Sequence, residues 1–140
     1  MTPLTIGQHR SQRTGDIIEI VVHGAFTLTD ATALLSAAQA TLRQEGHCFL
    51  IADVNAMTGI DAEARRLMAA WSKTETDRLS GTAIYGCGFA MRTIITLTLN
   101  AIQYFGKTPL EVEFVRDPAE ARSWVDARRA ALANEVNHGE

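Results

Sequence analysis

The stretch Asp16-Ile-Ile-Glu-Ile-Val-Val-His23, closed by Gly24 and followed by Ala31–Leu42, decides the fold. Its first part is β-branched and nearly continuous in apolar residues, the mark of a strand covered on both faces. After Gly24 the period changes, and Ala31, Leu34, Leu35, Ala38 and Leu42 recur at i, i+3, i+4, i+7 and i+11. That spacing predicts an amphipathic helix, with Thr29 and Asp30 as capping candidates and Gly46 as its stop.

The same alternation of periods runs outward in both directions. Upstream, the more polar Thr5–Arg13 suits a pairing edge strand, joined through Thr14-Gly15. Downstream, Cys48–Val54 (CFLIADV) is a second buried strand, and Asp61 can cap a helix whose Ala64, Leu67, Met68 and Trp71 share one face. Arg65, Arg66 and Lys73 fall on its solvent side, and polar Lys73–Ser80 ends it. Thr82–Gly86 is a third apolar strand, Gly86-Cys87-Gly88 turns into a helix from about Ala90 to Phe105, and Gly106 and Pro109 stop that helix. Glu111–Arg116 alternates as a last strand, with Val112 and Phe114 on one side. Asp117-Pro118-Ala119-Glu120 supplies a cap, a first-turn proline and a reciprocal glutamate, and so opens a final helix. The order β-β-α-β-α-β-α-β-α predicts an α/β fold: a mixed sheet of about five strands, mostly parallel, with helices packed on it and an antiparallel hairpin at one edge.

The chain has 140 residues, 46% hydrophobic, 21% charged and 6% aromatic, with a formal net charge of −3. This length predicts one domain, over residues 1–132, followed by a loose tail at 133–140. The slight acidity gives no electrostatic reason to expect nucleic acid or an anionic membrane as partner. Two cysteines, Cys48 and Cys87, are too few for a disulfide scaffold, and MTPLTIGQHR does not read as a signal peptide, so a soluble cytoplasmic domain is expected. His9, His23, His47 and His138 show no paired ligand spacing, so no metal or other cofactor is expected. Phosphate-binding glycine loops of the G-x-x-x-x-G-K and G-x-G-x-x-G types are missing, and Asp53, a lone carboxylate at a strand end, has no recognisable base beside it. No catalytic residue is assigned.

The run Asp53-Val-Asn-Ala-Met-Thr-Gly-Ile-Asp-Ala-Glu-Ala64 resembles the strand-to-helix junction of STAS domains, typified by anti-anti-sigma factors. There a polar residue ending the strand precedes a D-S-S-G helix start by the same spacing. The element order over about residues 5–132, and the D-x-x-E-A-R-x-W ending from Asp117 to Trp124, further resemble the SpoIIAA-like branch, which is related in fold to CRAL-TRIO lipid-binding domains. The resemblance implies a non-enzymatic interaction or regulatory module, meeting a protein partner through a junction that includes Asp53, Thr58, Asp61 and Glu63. In anti-anti-sigma factors the second serine of the motif is phosphorylated by a partner kinase. Here Asp61 keeps the aspartate, Ala62 and Glu63 stand for the serines, and Ala64 for the glycine. Glu63 is a permanent anion in a helix's first turn, where the macrodipole favours it, so a serine switch is not expected at this place.

Phe89–Phe105 (FAMRTIITLTLNAIQYF) carries an apolar arc roughly twice the 100° or so that a helix on a sheet needs. It is too short, and too often interrupted by Arg92, Asn100 and Gln103, to span a membrane. The surplus face, represented by Met91, Ile94, Ile95, Leu99 and Ile102, therefore meets a twofold-related copy, a lipid or small apolar ligand, or the neighbouring C-terminal helix. At the preceding turn, the backbone amides of Gly86, Cys87 and Gly88 with Arg92 form a possible anion site. The C-x-x-x-x-R spacing is similar to the active loop of rhodanese sulfurtransferases, which implies a reactive Cys87 with a depressed pKa as an alternative.

Overall fold

A computed structural model describes residues 1–72, 79–105 and 112–138. It contains six strands and four helices in the order β1 (Thr2–Ile6), β2 (His9–Thr14), β3 (Ile17–Phe26), α1 (Leu28–Glu45), β4 (Phe49–Ile60), α2 (Ala62–Ser72), β5 (Gly81–Tyr85), α3 (Phe89–Phe105), β6 (Val112–Phe114) and α4 (Pro118–His138). The strands lie side by side in sequence order in one sheet, antiparallel from β1 to β3 and parallel from β3 to β6.

The expected α/β architecture is present with one more strand than the five anticipated. The segment Thr5–Arg13, read from the sequence as one edge strand, is the meeting of two. Gly7, at φ 55°, lets β1 turn back onto β2, with Ile6 opposite His9. Helix α1 also starts earlier than Thr29. Thr27 is its N-cap, and Asp30 closes the capping box from the third helical position, Thr27 and Asp30 each bonding the other's backbone N–H. Gly46 ends the helix in the left-handed region at φ 81°, its N–H bonded to the Leu42 carbonyl. The last helix continues through Ala133 to His138, where the sequence suggested a tail. Gly106, Pro109 and residues 73–78, expected to end α3 and α2, lie outside the described residues.

Side chains alternate across the sheet and divide the interior in two. Ile18, Ile20, Val22, Leu50, Ala52, Val54 and Ile84 face α1, α2 and α3, and pack with Ala31, Leu34, Ala38, Ala64 and Ile95. Phe49, Ile51 and Ala83 face the other way and pack with Ala121 and Val125 of α4. Thus β4 is buried on both faces over Phe49–Ala52. In contrast, β3 buries Ile18, Ile20 and Val22 but leaves Ile17, Glu19 and Val21 half-buried. Here the expectation of two covered faces needs correction: α4 lies against β5 and β4, so the outer face of β2 and β3 is left open beside it.

The C-terminal halves of β3 and β4 run on together past the end of β5, to Phe26 and Ile60. Two bulges interrupt this extension. Val54 and Asn55 together oppose Val22, and Thr58 is an extra residue between the pairs Gly24–Met57 and Ala25–Gly59.

Candidate functional site

The strand-to-helix junction singled out in the sequence is thus the bulged end of β4 and the start of α2. Asp53 stands at the first bulge, where its Oδ1 accepts both the Asn55 backbone N–H at 3.0 Å and the Asn55 side-chain amide at 2.8 Å. The carboxylate supplies a partner for the amide that the bulge takes out of the ladder. Thr58 lies at the second bulge and is exposed. Asp61 bonds its N–H to the Phe26 carbonyl, and its own carbonyl accepts the Arg65 N–H, so the strand passes directly into α2. Glu63 is exposed in the first turn of that helix. Three of the four residues, Thr58, Asp61 and Glu63, therefore project from one strand-to-helix passage, while Asp53 shapes its base.

Gly86, Cys87 and Gly88 form the neighbouring turn from β5 into α3. Gly86 has φ 83°, a conformation that L side chains rarely adopt, and the Asn55 side chain occupies the place where a Cβ would stand. Asn55 therefore joins the two regions: it is held by Asp53 and lies against Gly86. The sequence reading missed this residue, although a polar side chain two positions after a strand-ending aspartate is the usual sign of such a local bond.

The chemistry at the turn differs from the expectation of a depressed thiol pKa. Cys87 is half-buried against the main core, and burial pushes its pKa up, an effect that the positive charge of Arg92 only partly offsets. Arg92 is itself engaged elsewhere, with its guanidinium carbon 4.7 Å from the centre of the Phe114 ring on β6. Among the described residues no group of three or more His, Cys, Asp or Glu side chains is gathered as a metal site. No helix among them is long and apolar enough to cross a membrane.

On α3, Ile95 is 5% exposed and belongs to the core, and Met91 is half-buried against it. Ile95 is therefore corrected from a surface to a core residue. Among the described side chains of α3, the large apolar ones that face solvent are Phe89, 90% exposed, Leu97, 64% exposed, and Ile94, 38% exposed. Phe89, Thr93 and Leu97 follow one another at four-residue spacing and so share a stripe of the helix. The side chains of Leu99 and Ile102 lie outside the described residues.

In structure, the chain is similar to the anti-sigma factor antagonist SpoIIAA in its unphosphorylated form, with a TM-score of 0.54 at 12% sequence identity, over 86% of this chain and 97% of that one. It is also similar to a protein of Shewanella loihica PV-4 with a SpoIIAA-like fold, with a TM-score of 0.53 at 20% identity, over 83% of this chain and 90% of that one. No curated protein matches it in sequence. The sequence model of one family, described as SpoIIAA-like, matches residues 17–126, from the first strand of the parallel sheet into α4. The chain belongs to the SpoIIAA-like family.

Proposed function

We propose that this chain is a non-enzymatic regulatory module that works through protein contacts, as a homodimer joined at α3 that offers the end of β4 and the start of α2 to a further protein. The observation that carries the reading is the exposure of Phe89 and Leu97 on one stripe of α3. Burying one such side chain is worth about 1.5–3 kcal/mol. A helix stripe is self-complementary about a twofold axis, the commonest symmetry of soluble oligomers. Membership of the SpoIIAA-like family, and a fold shared with an anti-sigma factor antagonist, support a regulatory role. The fixed charge of Glu63, where a phosphorylated serine stands in anti-anti-sigma factors, supports a module that is not switched by serine phosphorylation there. A cytoplasmic setting suits its two free cysteines.

Native mass spectrometry of the chain, followed by a denaturing measurement, tests this reading. We expect a dimer of twice 15.3 kDa without added mass. We expect monomers when Phe89 and Leu97 are both replaced by glutamate. A wild-type monomer, or a dimer that survives the double substitution, overturns the reading. An additional mass that is released on denaturation and lost in the double variant replaces it with binding of a lipid or small apolar metabolite at the same helix.

A further inference from the structure

The open face beside α4 encloses a cavity of about 250 Å³. Ile51 forms part of an apolar wall, and Arg10 and Gln12 of β2, Glu19 of β3, Tyr85 of β5 and Arg122 of α4 line the remainder. Three features give these residues a common purpose.

The first is a set of donors turned to solvent rather than to other side chains. Arg10, Gln12 and Tyr85 make no side-chain hydrogen bond or ion pair among the described residues; Arg10 is exposed and Gln12 and Tyr85 are half-buried, so a ligand there takes the place of water on their donors. Arg122 reaches Glu19 only loosely, with Nη2 3.6 Å from Oε2, beyond the 2.7–2.9 Å or so of a charge-assisted hydrogen bond. Its donors are therefore still available.

The second is charge. The lining itself holds two guanidinium groups and one carboxylate, an excess of one positive charge, and a second carboxylate, Asp53, lies outside the lining but near enough to act on Tyr85. Tyr85 stays a neutral donor, because burial first, and then the negative charges of Asp53 and Glu19, push its pKa up. Those same two carboxylates disfavour a dianion in the cavity.

The third is size and polarity. At 250 Å³ the space lies below the roughly 300–1,000 Å³ of drug-sized ligand pockets, which favours a compact ligand. An apolar wall beside polar donors suits a compact body carrying one polar group.

We infer that this cavity binds a small monocarboxylate with a compact apolar body, the carboxylate held by Arg10 and Arg122 and the body lying against Ile51. The inference is independent of the α3 dimer, which lies on the opposite side of the sheet.

Benzoate is the probe, with benzamide as its uncharged counterpart, each titrated into the full chain and followed by ¹⁵N–¹H NMR. Benzoate is expected to shift amides of β2, β3 and the first turns of α4 saturably, and to bind at least about tenfold more tightly than benzamide. Arg10→Gln is expected to weaken benzoate about tenfold, and it breaks no side-chain hydrogen bond or ion pair among the described residues. Arg122→Gln is expected to do the same while also releasing Glu19. Arg116→Gln, which changes an exposed cation paired with Glu120, should leave the affinity unchanged. Equal binding of benzoate and benzamide, undiminished binding by Arg10→Gln, or no saturable shift at millimolar benzoate overturns the inference. Inorganic phosphate binding as tightly as benzoate would remove the apolar body from it.

Discussion

Asp30, in the first turn of α1, accepts a hydrogen bond at 2.8 Å from Nε2 of His9, a residue of β2 that is 5% exposed. The other ring nitrogen, Nδ1, accepts the backbone N–H of His23 at 2.9 Å, which leaves Nε2 to carry the proton. One imidazole thus ties the second strand to the third and to the helix that follows. The Asp30 carboxylate also accepts the Thr27 N–H, and Gly7 passes so close that a Cβ there would overlap the Asp30 Oδ1. Removing either partner strands a buried polar group, so His9→Ala and Asp30→Ala should each cost about 2–4 kcal/mol in urea unfolding. The double mutant should cost clearly less than the sum, because each single change already breaks the same bond. Additive losses would mean that the pair is not coupled.

The same carboxylate gives stability a pH dependence. Burial alone would raise the Asp30 pKa, but hydrogen bonds from the Thr27 backbone and from His9 outweigh it, and the net shift is downward. A group whose pKa is lower in the folded chain contributes stability that is fully present above its unfolded value, about 3.9 for aspartate. That contribution is lost as the pH falls through the lower, folded value. Asp30→Asn should therefore flatten the acid limb of the stability curve below about pH 4, while costing stability near neutrality. An unchanged acid limb in the variant would assign the acid sensitivity to other carboxylates.

Trp124 of α4 covers Gly81 at the start of β5. A Cβ on Gly81 would lie 2.9 Å from Cη2 and 3.0 Å from Cζ3 of the indole, with Phe49 Cδ1 at 3.3 Å on another side. Gly81→Ala should cost about 1–3 kcal/mol through displacement of the ring. It should also change the indole fluorescence and speed amide exchange in α4. Trp124→Leu makes room, so adding Gly81→Ala to it should cost less than in the wild type. A full extra cost in that background would show that the strain lies in the β5 backbone instead.

How far these features were legible in the sequence depends on whether they are local. The 3.6-residue period of Ala31–Leu42 and the Asp117–Glu120 cap were readable, and Asp117 Oδ1 does accept the Glu120 N–H at 2.8 Å. Asp117, Ala121 and Trp124 in the D-x-x-E-A-R-x-W ending acquire reasons from the structure: one caps the helix, one is fully buried, and one covers Gly81. The bulges at Asn55 and Thr58 were not readable, since they depend on the register against β3. Nor was the His9–Asp30 pair, which spans 21 residues and needs the Gly7 turn. The open sheet face had one unread sign: Glu19 interrupts the apolar run of β3 at a half-buried position that the Arg122 side chain of α4 approaches. On α3 the surplus of apolar residues was plain, but which of them faced the core was set by the helix's rotation on the sheet. That rotation placed Ile95 inward and Leu97 outward.

The two thiols provide the sharpest test against a cysteine-based activity. The thiolate is the nucleophile, so reactivity follows its population near neutral pH. Burial pushes Cys87 up and Arg92 pulls it partly back, whereas burial pushes Cys48 up to about 12. At pH 7, iodoacetamide should therefore modify Cys87 more slowly than free cysteine, and should reach Cys48 only on unfolding. Arg92→Ala should slow Cys87 further by removing the nearby positive charge, although the loss of its stacking on Phe114 also loosens β6. Peptide mass mapping over time separates the two sites. Modification of Cys87 faster than free cysteine would mean that the turn lowers its pKa after all, and would bring the sulfurtransferase-like alternative back ahead of a module that works by contact alone.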